Sequence, residues 1–161
     1  MEVYILRHGI AEQVGPNGSD ADRALTPKGR QKLRRVLRLV HAAGVRPSIV
    51  LTSPLLRAVQ TAEVAAEIFA YQHELVQTPA LLPTVSPKDV WQELRVRKNQ
   101  QAPLLVGHEP SLSQIAAYLL GTPDLRIELK KAGLVRIDLE KFGPAPSGIL
   151  KWVLAPKLAS S

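Results

Sequence analysis

Val3-Tyr4-Ile5-Leu6-Arg7-His8-Gly9 is a short apolar run that ends abruptly in two basic residues and a glycine. Its β-branched and aromatic residues predict a buried strand over 3–6. Two later stretches have the same form. Ser48-Ile49-Val50-Leu51 runs into Thr52-Ser53-Pro54, and Leu104-Leu105-Val106 runs into Gly107-His108-Glu109. Each reads as a strand that stops at a polar cluster.

The segments between these strands read as helices. Thr26-Pro27 gives an N-cap followed by proline, then Leu33, Val36, Leu37 and Val40 recur at helical spacing, and Gly44 is the stop. A polar loop, about 13–24, precedes this helix. A second helix is expected from Leu55 to Phe69, with Leu55, Val59, Ala62 and Ala66 on one face. Ser86-Pro87, with Asp89, starts a third, and Ser111 to Leu120 forms a short fourth. Gly133–Leu139 and Gly148–Leu154 alternate, and the Gly143-Pro144-Ala145-Pro146 loop between them predicts a hairpin. Ala159-Ser160-Ser161 is expected to fray.

Strands alternating with crossover helices imply a layered α/β domain with mostly parallel early strands. The expectation is a three-layer α/β/α sandwich, one domain over 1–161, with no repeat or linker.

Apolar residues are 45% and charged residues 22% of the 161, which fits a globular chain. Cysteine is absent, which excludes disulfides, thiolate metal sites and a cysteine nucleophile. Met1-Glu2-Val3-Tyr4 does not have the pattern of a signal peptide, and no apolar run reaches the roughly 20 residues of a membrane span. A cytoplasmic protein without membrane partners is expected. The formal charge is +7. No acidic residue occurs from Leu25 to Ala62, whereas Lys28, Arg30, Lys32, Arg34, Arg35, Arg38, Arg46 and Arg57 do. Two readings stay open: a solvated helix face, or a field drawing in anionic substrates or an acidic partner. Nucleic acid is disfavoured, because aromatic residues are only 4% and no recognition motif occurs.

Ligands of open parallel sheets bind beyond the carboxyl ends of the strands. Arg7-His8-Gly9, Thr52-Ser53-Pro54 with Arg57, and Gly107-His108-Glu109 therefore share one rim. Neutral imidazole is a nucleophile near neutral pH, and guanidinium offers a permanently charged fork that fits phosphate oxygens. Phosphoryl transfer needs mainly positioning and charge stabilisation. His8 is the candidate nucleophile, with Arg7, Arg57 and His108 holding the oxygens. Gly9 would let the backbone approach, and Ser53 either adds a donor or ends its strand. His41 and His73 have no partners in this pattern and read as structural. His8 and His108 lack the HxH or HExxH spacing of a zinc site, so no metal or cofactor is expected.

These motifs carry a resemblance. Leu6-Arg7-His8-Gly9 resembles the signature of the histidine phosphatase superfamily, which includes the phosphoglycerate mutases. Thr52-Ser53-Pro54-Leu55-Leu56-Arg57-Ala58-Val59-Gln60-Thr61-Ala62 resembles its second motif and Gly107-His108-Glu109 its third. Leu25-Thr26-Pro27-Lys28-Gly29 matches a further common stretch. The resemblance implies a phosphoglycerate mutase-like fold, metal-free chemistry, phosphorylation of His8, and a phosphate pocket of Arg7, Arg57 and His108. It also puts Arg23 where relatives often place another phosphate-facing arginine.

Sugar-phosphate members usually carry an insertion and a glutamate acid after the second motif. The corresponding segment here, Ala80-Leu81-Leu82-Pro83-Thr84-Val85-Ser86-Pro87-Lys88-Asp89, has no glutamate. An alkoxide leaving group needs a positioned acid, whereas a protonated imidazole leaves readily. The compact pattern resembles SixA-type phosphohistidine phosphatases, which implies a phosphorylated protein as partner. A phosphomonoesterase acting on a sugar or nucleotide phosphate, with Glu12 or Glu109 as acid, is the alternative.

Overall fold

The quoted apolar run is the centre of the sheet. In the computed structural model, which describes residues 1–159, strand β1 spans Glu2–Arg7. It is followed by α1 (Pro27–Ala42), β2 (Ile49–Thr52), α2 (Leu56–Ile68), β3 (Val76–Gln77), α3 (Pro87–Val96), β4 (Pro103–Gly107), α4 (Ser111–Leu119), β5 (Leu134–Asp138) and β6 (Ile149–Leu154). The six-stranded sheet has the order β3-β2-β4-β1-β5-β6. β3, β2, β4 and β1 pair in parallel, whereas β5 and β6 join antiparallel.

β1 is apolar on both faces because it is covered on both. Tyr4 and Leu6 point into a core with Leu33 and Leu37 of α1 and Ala58 and Ala62 of α2. Val3 and Ile5 point into a second core with Trp91 and Leu94 of α3 and Leu112 and Ile115 of α4. Two cores on opposite faces make the expected three layers. Removing one such side chain, as in Leu6→Ala, costs about 2–5 kcal/mol by the usual cavity rule.

The local signals act where the sequence puts them. Thr26 accepts from Gly29 N at 2.9 Å and caps α1. Gly44 has φ 96°, a left-handed turn that ends the helix with Gly44 N bonded to His41 O at 3.0 Å. Ser86 accepts from Lys88 N at 3.3 Å and caps α3. β5 and β6 pair as the expected hairpin.

Two expectations need correction, and the sheet has one strand more than expected. The buried residues of α2 are Arg57, Ala58, Thr61, Ala62, Val64 and Ala65, with Phe69 beyond. Leu55, Val59 and Ala66 are only half-buried, because the side of α2 that packs on the sheet and α1 carries Ala58, Ala62, Val64 and Ala65. β3 is a two-residue edge strand too short for a period-2 signal. His41 is not isolated: Arg46 Nη1 lies 3.0 Å from its Nδ1, and its ring packs on Phe69. Of the expected frayed end, Ala159 closes a short 3-10 turn from Pro156, and 160–161 lie outside the described residues. Among the described residues no helix is long and apolar enough to cross a membrane.

Candidate active site

The parallel register brings three strand ends together. Arg7 is opposite Gly107, and His8 N donates to Gly107 O at 3.0 Å. Ser53 N donates to Val106 O at 3.0 Å. Arg7-His8, Ser53 and His108 thus leave the sheet side by side. Arg57 stands in the first turn of α2, where the helix dipole favours anions. The rings of His8 and His108 are 5.2 Å apart, centre to centre.

His8 is buried, and its Nδ1 lies 2.7 Å from Gly9 O. A carbonyl only accepts, so Nδ1 carries the proton and Nε2 keeps the lone pair. Burial pushes the ring's pKa down to about 4, with Arg57, Arg7 and Lys131 adding to the effect against the Gly9 bond. His108 pairs through Nε2 with Ser53 Oγ at 2.7 Å. Ser53 Oγ already accepts from Leu55 N, so its own proton is available to that nitrogen. Burial, then His8 and Arg57, push His108 down to about 3.

Arg7 Nη1 donates to Leu129 O at 2.9 Å, and Arg57 Nη1 donates to Asp20 O at 3.0 Å. Burial lowers the pKa of both guanidinium groups, which stay charged all the same. Among the described residues, four buried side-chain N or O atoms have no hydrogen-bond partner: Arg7 Nε, Arg57 Nε, His108 Nδ1 and Ser111 Oγ. An unpaired buried donor costs about 1–3 kcal/mol and is rare in folded chains. Three of the four belong to candidate site residues.

The structure places the other candidates differently. Gly9 N–H is spent on Thr61 Oγ1 at 3.1 Å. A Cβ at Gly9 would sit 3.4 Å from Leu25, an ordinary contact, whereas at Gly29 a Cβ would lie 2.2 Å from Ile10 O. Ser53 is taken up with His108. Arg23 reaches the site only through Asp20, whose Oδ1 accepts from Nη1 at 3.0 Å, while Arg23 Nε donates to Glu12 O at 2.6 Å.

Two residues escaped the sequence reading. Thr61 Oγ1 donates to Arg57 O at 2.7 Å while accepting from Gly9, so it ties α2 to the His8 turn. Its position four after Arg57 was the available signal. Asp20 pairs with both Arg23 and Arg57, and nothing in the loop's pattern announced it. Glu109 Oε1 accepts from Ser113 N at 2.7 Å and serves the start of α4. No group of three His, Cys, Asp or Glu side chains suited to a metal ion occurs among the described residues.

Residues 3–81 match the histidine phosphatase superfamily, branch 1. The chain is also 35% identical over 142 residues to an uncharacterised Picosynechococcus protein, covering 84% of this chain and 83% of that one. The chain belongs to the histidine phosphatase superfamily. Among other members, it is similar to the phosphohistidine phosphatase SixA of Escherichia coli, 27% identical over 97% of this chain and 94% of that protein. The structure of the protein histidine phosphatase SixA complexed with tungstate matches with a TM-score of 0.89 at 25% identity, over 98% of this chain and 99% of that one. The α-ribazole phosphatase of Shigella flexneri shares the fold at a TM-score of 0.71 and 19% identity, over 97% of each chain. As a histidine phosphatase superfamily member the chain is a phosphatase, and the fold alone does not choose its substrate.

Proposed function

We propose that this phosphatase removes the phosphoryl group from a phosphorylated histidine on a signalling or phosphotransfer protein, through a phospho-His8 intermediate. The observation that carries the reading is the state of His8. Its proton is held on Nδ1 by Gly9 O, its pKa is pushed down to about 4, and Arg7, Arg57 and His108 share its rim.

His8 Nε2 attacks phosphorus, and the bond from phosphorus to the substrate's ring nitrogen breaks. The substrate imidazole leaves with the proton that its own ring carries. Arg7, Arg57 and His108 take the equatorial oxygens. Water then attacks the phospho-His8 bond, releases inorganic phosphate, and returns His8 to its neutral form.

The leaving group decides between substrates. The segment 80–89, after the second motif's helix, has no glutamate, and Glu109 is engaged at the start of α4. An imidazole leaving group does without a positioned acid. The similarity to SixA along nearly the whole chain supports the same substrate class.

The test mixes the protein with a phosphohistidine-bearing domain and follows its acid-labile phosphate. Wild type is expected to clear it and to yield a trapped phosphoenzyme, and His8→Ala to do neither. Equal rates for the two proteins, or rapid turnover of sugar or nucleotide phosphates with none of phosphohistidine, would sink the reading.

A further inference from the structure

Arg57 has two contacts with one residue, and they differ in kind. Nη1 donates to the backbone carbonyl of Asp20 at 3.0 Å, while Nη2 meets the Asp20 carboxylate at 3.4 Å. The first is a well-formed bond from a buried guanidinium. The second is long, and its carboxylate side chain is 66% exposed while that of Arg57 is 6% exposed.

The backbone of this loop is fixed without the carboxylate. Leu56 N donates to Ala21 O at 3.0 Å, and Arg23 Nε donates to Glu12 O at 2.6 Å. Gly15 packs so tightly that a Cβ would lie 2.1 Å from Ser19 O. The carbonyl that positions Arg57 therefore stays in place when the Asp20 side chain moves. The carboxylate is an anion resting on a guanidinium of the candidate phosphate pocket. Its pKa is held below the usual carboxylate range, first by Arg23, so it stays charged at neutral pH.

We infer that Asp20 is a displaceable counter-ion, a specificity-determining residue whose carboxylate competes with free oxyanions for Arg57. The inference rests on the pocket assigned under the proposed function. Free phosphate must displace the carboxylate using its own contacts alone. A phosphoryl group on a protein has the rest of the docking surface to offset that cost. Asp20 thereby selects for anchored phosphoryl groups and speeds release of the inorganic phosphate product.

The test is titration with inorganic phosphate, and separately with tungstate, by calorimetry at neutral pH. Asp20→Asn keeps the side chain's shape and removes its charge, and Asp20→Ser removes both. Both variants are expected to bind phosphate more tightly than wild type, by roughly fivefold for an exposed ion pair. The gap is expected to close in acid, as the wild-type carboxyl protonates. Wild-type binding with equal or weaker binding by both variants overturns the inference, because the carboxylate is then a support for Arg57. If neither wild type nor variants bind any oxyanion, the phosphate pocket falls and this inference with it. Arg57→Ala removes the shared guanidinium, so adding Asp20→Asn to that variant should bring no further gain in phosphate binding.

Discussion

His8 meets two constraints that act on different atoms. The Gly9 carbonyl decides which nitrogen holds the proton, and burial decides at what pH a second proton arrives. Together they keep Nε2 unprotonated throughout the physiological range, the form that the proposed nucleophile needs. Titration of isotope-labelled protein by NMR should put the His8 midpoint near 4 and that of His108 near 3. A His8 midpoint near the ordinary 6.5 would show the ring to be solvated and the pocket open. The sign of the linked stability change follows. Both shifts are downward, so below about 6.5 the unfolded chain binds protons that the folded chain refuses. Stability is full above that pH and is lost as pH falls through about 4 and about 3. Melting temperature should therefore fall across that window, and a rise on acidification would contradict both shifts. At this scale His8, Arg57 and His108 were legible, because each follows or flanks a strand end in the chain. Asp20 was not, since its two arginine contacts depend on a loop path that no periodicity encodes.

The elements show what sequence spacing does and does not determine. Helix starts at Thr26-Pro27 and Ser86-Pro87 are local chemistry, and they formed as read. The face of α2 is a tertiary matter. Its inward side is set by packing on the sheet and α1, which buries Ala58, Ala62, Val64 and Ala65 and leaves Leu55 and Val59 half-buried. The same packing puts Thr61 between two motifs, with its hydroxyl joining Gly9 N–H to Arg57 C=O. Thr61→Val keeps the shape and strands the buried Gly9 N–H. It should cost about 1–3 kcal/mol in urea unfolding and slow phosphoenzyme formation by loosening the His8 turn. Normal stability with normal turnover would show that the hydroxyl bridge is dispensable. Gly29→Ala tests the neighbouring contact. A Cβ 2.2 Å from the Ile10 carbonyl forces α1 away from the loop after His8, so the variant should lose about 1–3 kcal/mol by the same measurement. An unchanged unfolding midpoint would mean that this loop yields without cost.

For the whole molecule, the alternation of strands and helices made the parallel layered fold legible, but the order β3-β2-β4-β1-β5-β6 was not. Which strands become neighbours depends on how the helices pack across each face. The charge distribution likewise gains meaning only in three dimensions. Part of the basic stretch is ordinary surface: Arg34 forms a two-pronged pair with Glu67, and Lys28, Arg35 and Arg38 are exposed on α1. Lys32 is different. With Lys131 and Lys157 it borders a groove of about 580 Å³ that includes Arg7 and Ile10 and has Leu129 and Leu154 in its wall. Glu128, which also lines the groove, is paired with Lys130 at 2.9 Å. If the substrate is an acidic protein, as proposed, a basic rim beside Arg7 would steer it and do little for a small phosphoramidate, which needs no docking surface. Raising salt from low to several hundred millimolar should therefore cut kcat/KM on a phosphohistidine domain by roughly tenfold, through association rate. Turnover of a small phosphoramidate should change far less over the same range. Replacing Lys32, Lys131 and Lys157 by Gln should flatten the salt response for the domain and leave the small substrate's rate in place. Identical salt responses for both substrates would instead assign the effect to the phosphate pocket itself, and the groove would be no part of recognition.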